Sequence, residues 1–284
     1  MIAGIVALYK PKKNEISNIA SYIESLDFCF LMDDSGIDNY PLFRELFDKF
    51  PNKISYVLNS ENLGLVKSVN KGFSLAIDKG ADWILVMNPD GKFQKDPIRI
   101  YKKFLSGNDM NNVSILCPRF NIDRRPKEAG NGLKRVKYPD MSGCLYNAKV
   151  LKKIGYFDEK TYFYGLDLEY CIRAIESGYK ILECSELVLN HKPGNTFELK
   201  FLGHTFFRCG IDVPQRYYYQ FRSAYYIFKK YKNFYCFAFH VYKFFKVILF
   251  FKNKAEYIRM MHMGIYDAKR GFFGNISERP NNCS

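Results

Sequence analysis

Four short apolar runs in the first ninety residues, separated by stretches of helical period, leave this chain few folds to choose from. Ile2–Leu8, residues 28–32, Ile54–Leu58 and Trp83–Met87 are nearly continuous in apolar residues, as strands buried on both faces are. Between them, apolar residues fall at 16, 19, 20, 23 and 26, residues 40–50 keep a helical spacing, and residues 66–79 end at Gly80, so each connection reads as a helix. Repeated strand–helix units predict an α/β fold with a mostly parallel sheet flanked by helices. In such sheets ligands gather beyond the carboxyl ends of the strands. Tyr9, Asp33, Asp34, Asn88 and Asp90 stand at those ends. Tyr9 is expected to pack in the core, a ligand contact through its hydroxyl being the alternative.

Two further segments bring chemistry. Asp167 and Glu169 lie two apart in an aromatic setting, and His191 follows a short apolar run. Apolar residues at 168, 171, 172 and 175 make 167–178 helical, so the two carboxylates diverge around the helix. Asp167 then suits a general base, and Glu169 is a first-turn acid that favours the helix dipole. Asp90 and His191 are hard-to-borderline ligands suited to Mg²⁺ or Mn²⁺, which points to a phosphorylated substrate. Gly64 permits close backbone approach at a helix start that can receive an anion, with Asn62 beside it. Lys67 either faces a diphosphate or is an ordinary solvated lysine.

Eight cysteines without metal-ligand or CxxC spacing read as reduced thiols. With no basic leader before the first strand, the expected compartment is the cytoplasm. The formal net charge is +14, and residues 192–284 carry most of it, with 16 Lys/Arg against 5 Asp/Glu. Within residues 216–251, 17 of 36 are Phe or Tyr. This division predicts a catalytic domain over 1–200 and a basic, aromatic helical extension over 201–284. Residues 234–251 are interrupted only by His240, Lys243 and Lys246. Central lysines oppose membrane insertion, so the expectation is a helix on an anionic membrane surface, aromatic residues in the bilayer and lysines toward headgroups. Packing on the catalytic domain is the alternative. Nucleic acid is excluded as a partner, because no binding motif appears and the basic zone is interleaved with bulky apolar residues. Residues 119–137, with seven basic residues, read as a solvated loop or as a lid.

The ordered series Asp33-Asp34-Ser35-Gly36, residues 62–72, Asn88-Pro89-Asp90, Ser142-Gly143, residues 155–159, Asp167 with Glu169 and Arg173, and His191 resembles family 2 glycosyltransferases of the GT-A fold, across about residues 2–196. Residues 216–231 further resemble the tail of the rhamnosyltransferase-like branch. The resemblance implies inverting transfer of a sugar from a nucleotide diphosphate to an acceptor hydroxyl. It gives Asp33 a contact to the nucleotide, Asp90 the last place in the metal-binding triplet, Asp167 the role of base and His191 that of a later metal ligand. Ser142, Gly143 and Glu169 fall on the acceptor side. The chain departs from the pattern at Asn88, where the triplet's first acid is expected, and at Leu166, where an acid usually precedes the base.

These readings lead to an enzyme on the inner face of the cell membrane that builds surface polysaccharide or a lipid-linked glycan, with Mn²⁺ or Mg²⁺ as cofactor. The expected donor is deoxythymidine-diphosphate rhamnose (dTDP-rhamnose), with a uridine-diphosphate hexose (UDP-hexose) such as galactose, galactofuranose or glucose as the rival. A nucleotidyltransferase is disfavoured because Tyr9–Lys13 lacks glycine. A catalytically idle membrane assembly partner is the reading from another class.

Overall fold

The computed structural model describes residues 1–124, 126–190, 194–201 and 204–279. The four apolar runs are strands β1 (Ile2–Leu8), β2 (Phe28–Asp33), β3 (Ile54–Leu58) and β4 (Trp83–Met87). They lie parallel in the order β3-β2-β1-β4. The sheet continues through β8 (Cys144–Asn147), β6 (Val113–Asn121), β9 (Lys180–Asn190) and β5 (Lys92–Phe93). β8 runs antiparallel to both β4 and β6, so the second half of the sheet is mixed. β7 (Leu133–Val136) pairs with β9. Part of the basic segment over 119–137 is therefore sheet. Arg119 anchors it, donating to Glu183 at 3.0 Å and to the Glu128 carbonyl at 3.0 Å.

Strand alternation explains the two layers of helices. On β1, Ala3, Ile5 and Ala7 face a core shared with α3 (Leu65–Asp78), α5 (Ala148–Ile154) and α6 (Leu166–Glu176). Ile2, Val6 and Leu8 face the other core, with α1 (Ile16–Ile23), α2 (Arg44–Lys49) and α4 (Pro97–Gly107). Every residue of β1 is buried, which is why its sequence shows no polar alternation. Register then sets the functional edge. Leu8 lies beside Asp33, and Val6 beside Met87, so Tyr9, Asp34 and Asn88 emerge at one rim of the sheet.

The helical extension is present and is preceded by a hairpin of β10 (Asn195–Phe201) and β11 (His204–Ile211). It comprises α7 (Pro214–Tyr231), α8 (Phe234–Phe250) and α9 (Lys254–Arg270). α9 presses on α7 at Gly264, where a Cβ would stand 2.3 Å from the Tyr218 carbonyl oxygen. Buried Arg222 ties the chain that follows α9 to α7 by donating to the carbonyls of Gly274 at 2.7 Å and Phe273 at 3.0 Å.

α8 corrects the expected placement of its lysines. Lys246 is buried and donates to the Gly210 carbonyl at 2.6 Å. Lys243 is half-buried, with its ammonium 5.2 Å from the ring centres of Tyr217 and Phe239. Both point into the protein, where hydrogen bonds and ring faces receive them, and neither reaches headgroups. Phe234, Phe237, Tyr242, Phe245 and Leu249 are exposed instead. Among the described residues no helix is long and apolar enough to cross a membrane.

Candidate active site

The rim of the sheet begins with two buried carboxylates that play different parts. Asp33 ends β2 and is saturated: it accepts from the Ser35 N–H at 2.9 Å, Asn39 at 2.8 Å and the Tyr56 hydroxyl at 2.7 Å. Asp34 reaches across to the loop before α3, accepting from the N–H groups of Leu63 and Gly64, each at 2.9 Å, and from Asn59 at 3.2 Å. Burial pushes the Asp34 carboxyl up, against those hydrogen bonds. Asn62 also accepts from the Gly64 N–H, at 2.9 Å, so that donor is already engaged within the protein. Gly64 adopts φ +85°, and a Cβ there would stand 2.6 Å from the Tyr162 ring. The close approach is thus to an aromatic side chain. Tyr162 stacks on Tyr219 of α7 with centroids 5.5 Å apart, which links the loop to the extension. Lys67 is exposed on the first turn of α3. Tyr9 is 54% exposed, so the expected core placement fails: the ring lies just past the last buried residue of β1, open at the rim.

Beyond β4, the Asn88 N–H donates to the Ser142 hydroxyl at 3.1 Å and the Gly143 N–H to the Val86 carbonyl at 2.8 Å. Ser142 is buried and joins the end of β4 to the start of β8. Asp90 follows as an exposed carboxylate, while His191 lies outside the described residues. Among the described residues, no three His, Cys, Asp or Glu side chains form a metal cage. An exposed carboxylate fits a cation that arrives with phosphates, because Mg²⁺ is commonly held by one or two carboxylates plus substrate oxygens and water.

Asp167 sits in the first turn of α6 after Gly165, as the 168, 171, 172, 175 spacing predicts. It is half-buried and lines a cavity of about 360 Å³ with Asp140, Tyr138, Tyr164, Gln220 and Phe239. Burial first, and then the charge of Asp140, pushes the Asp167 carboxyl up to about 7. Such a group exchanges protons near neutrality. Asp140 is a partner that pattern reading missed, since the loop between β7 and β8 carries no periodicity. Gln220 was missed for another reason: it lies on α7, far along the chain from the rim.

Glu169 belongs to a different part of the molecule from the acceptor side on which the sequence placed it. It is fully buried and accepts from Arg173 at 2.9 Å, Lys230 at 3.0 Å and the Tyr231 hydroxyl. Its position two residues after Asp167 turns it away from the cavity and toward the end of α7. Lys230 and Tyr226 also donate to Asp158, at 2.7 and 2.6 Å, and Ser223 to the Thr161 carbonyl at 3.0 Å. These bonds hold α7 against α6 and the turn before it, so that α7 forms a wall of the cavity.

Comparison with known proteins bears on the family and the fold. The model for "Glycosyl transferase family 2" matches residues 14–158. The dTDP-rhamnosyl transferase RfbF of Shigella flexneri is 23% identical, covering 96% of this chain and 97% of its own length. The galactofuranosyltransferase GlfT1 of Mycobacterium tuberculosis is 25% identical over 60% of this chain and 62% of its own. Among solved structures, GalNAc-T7 with UDP, GalNAc and Mn²⁺ aligns with 95% of this chain and 56% of its own, at a TM-score of 0.61 and 10% identity. S. aureus TarS aligns with 95% of this chain and 44% of its own, at a TM-score of 0.52 and 13% identity.

Proposed function

We propose, for a chain that belongs to glycosyl transferase family 2, that it transfers a sugar with inversion from a nucleotide diphosphate to an acceptor hydroxyl, with Asp167 as the base. The observation that carries this reading is that Asp167 lines a cavity together with Asp140, where burial and the Asp140 charge push its carboxyl up to about 7. The acceptor hydroxyl attacks the anomeric carbon from the side opposite the departing nucleotide. Asp167 takes its proton during the attack, a contribution of about 10²–10⁴-fold in rate. Asp33 and Asp34 shape the nucleotide end of the site, together with Asn62, Gly64 and Tyr9. Lys67 and Asn88 flank the diphosphate. Mn²⁺ or Mg²⁺, held by Asp90 and His191, would supply electrostatic stabilisation to the charge that grows on the leaving diphosphate.

The donor favoured is dTDP-rhamnose, on the near full-length similarity to the Shigella rhamnosyl transferase. Ligand binding raises folded-state stability by about 2.7 kcal/mol at a hundredfold excess over Kd. Thermal-shift titration with thymidine and uridine diphosphates, with and without Mn²⁺, is therefore the first experiment. A metal-dependent shift with thymidine diphosphate supports the rhamnosyl reading, and one with uridine diphosphate moves it to a hexosyl donor. Asp167→Asn should keep this shift and lose transfer. Transfer near the wild-type rate in Asp167→Asn would refute the base, and no shift with any nucleotide would leave an idle assembly partner as the better reading.

The exposed aromatic face of α8, with Lys229, Lys232, Lys252 and Lys254 exposed around the ends of α7, α8 and α9, supports peripheral binding to the inner face of the cell membrane. An interfacial helix gains by burying rings and by attraction to anionic lipid. The acceptor would then be a glycan or lipid-linked glycan presented at that surface. Anionic liposomes should sediment the protein, and Phe245→Asp with Leu249→Asp should release it. Equal sedimentation of the double variant would exclude this face as the contact.

A further inference from the structure

The cavity at Asp167 holds a hydrogen-bond acceptor that the protein leaves unused. Gln220, on α7, is 6% exposed, yet its Oε1 has no partner. The Tyr164 hydroxyl donates to Asp212 at 2.8 Å, and Arg216 pairs with the same Asp212 oxygen at 3.3 Å. Gln220 and Tyr164 line the same cavity, and Oε1 is the end of the amide left for an occupant. A buried acceptor without a partner destabilises the fold, and a donor brought by a ligand removes that cost.

The remaining lining describes the occupant. Phe120, Tyr138, Leu168, Ile227 and Phe239 offer apolar and aromatic surface, while the carboxylates of Asp140 and Asp167 and the Gln220 amide supply polar groups. A volume of about 360 Å³ falls at the lower end of small-molecule sites, about 300–1,000 Å³. A pyranose has this mixed character, with apolar C–H faces and a rim of hydroxyl donors. We propose that the cavity is the acceptor subsite for a pyranose unit, and that Gln220 Oε1 accepts a hydrogen bond from a hydroxyl other than the one that attacks. This rests on the reading of Asp167 as the base. Gln220 thus determines which acceptor is taken, by admitting a sugar that presents a donor at that position.

The test is equilibrium titration of the full-length chain with n-octyl glucopyranoside, galactopyranoside, mannopyranoside and rhamnopyranoside, with 1-octanol as the apolar control, followed by tyrosine fluorescence. At least one pyranoside should bind saturably and more tightly than octanol. Gln220→Met, nearly isosteric but without the acceptor, should weaken that pyranoside by about five- to tenfold, the effect of one neutral hydrogen bond. Octanol should bind the variant as it binds the wild type, which shows the cavity intact. An unchanged pyranoside affinity, equal loss of octanol binding, or no preference of the wild type for any pyranoside over octanol would each overturn the proposal. Binding needs no turnover, so a failure of Asp167 as base would instead appear as transfer surviving in Asp167→Asn, with these titrations unaffected.

Discussion

Asp140→Asn removes one charge beside the proposed base. The amide oxygen can still accept from the Met141 N–H, now bound to Asp140 Oδ1 at 3.0 Å, so the local geometry persists. The Asp167 carboxyl stands at about 7 against an ordinary 3.8. At about 1.36 kcal/mol per pH unit, that is at most about 4 kcal/mol disfavouring its ionised form, a ceiling because the group is only half-buried and water screens it. Burial is the larger cause and the Asp140 charge the second, and removing a neighbouring like charge is expected to lower the pKa by about one unit, or ~1.4 kcal/mol. The acidic limb of kcat/KM should then move from near 7 to near 6. At pH 6 the base would be about half ionised in the variant against about a tenth in the wild type, so ionisation alone raises the rate about fivefold there. Initial rates of nucleotide diphosphate release between pH 5 and 8.5 measure the limb. A limb that stays in place or moves upward would refute the claim that Asp140 tunes this carboxylate.

The same carboxyl links stability to pH: folded Asp167 keeps its proton to about pH 7, whereas the unfolded chain releases it near 3.8. Its stabilising contribution is complete below about pH 4 and is lost as pH rises through 7, a decline that urea unfolding should find flattened in Asp167→Asn. Glu169→Gln leaves Arg173 and Lys230 facing an uncharged, fully buried partner. Because Lys230 is partly exposed, urea unfolding should show a loss near the low end of the range for broken buried pairs, about 3 kcal/mol. Gly264→Ala would drive a methyl into the Tyr218 carbonyl and the Arg222 N–H of α7, both backbone atoms that cannot turn aside. Calorimetry should show destabilisation of about 2–3 kcal/mol, and an unchanged Tm would show that α9 does not pack on α7 as described.

Much of the fold around the candidate site was legible because its physics is local. β1 through β4 could be read from apolar runs that need no partner to identify them, and the 168, 171, 172, 175 spacing placed Asp167 on the first turn of α6. Periodicity says which residues share a face, and is silent on what that face meets. The lysines of α8 show the gap: 243 and 246 share a face as their spacing implies, yet Gly210 and Tyr217 receive them where membrane was expected. Glu169 was read correctly as a first-turn acid, but its partners on α7 are some sixty residues distant in sequence. Tyr9 misled through its type, since an aromatic residue after a buried strand ordinarily continues the core. Asp140 gave no signal, because a carboxylate in an aperiodic loop gains its meaning only when folding sets it beside Asp167.

The two halves of the candidate site come from different stretches of chain, which bears on how specificity can change. The family match ends at residue 158, after the strand ends and loops proposed to face a nucleotide. Asp167 follows it, and the far wall of the cavity comes from residues 220–239 on α7 and α8. That wall is fixed by a few polar joints, Ser223 to Thr161 and Lys230 to Asp158 and Glu169. Substitutions on the α7 face between those joints, such as at Gln220 or Ala224, alter the cavity while the bonds of Asp33 and Asp34 stay as they are. On the proposed reading, acceptor choice can therefore vary while the donor side stays constant, as long as Glu169 and Asp158 keep α7 in place. On the proposed reading, the buried Glu169 network would serve catalysis indirectly, by positioning the wall opposite Asp167.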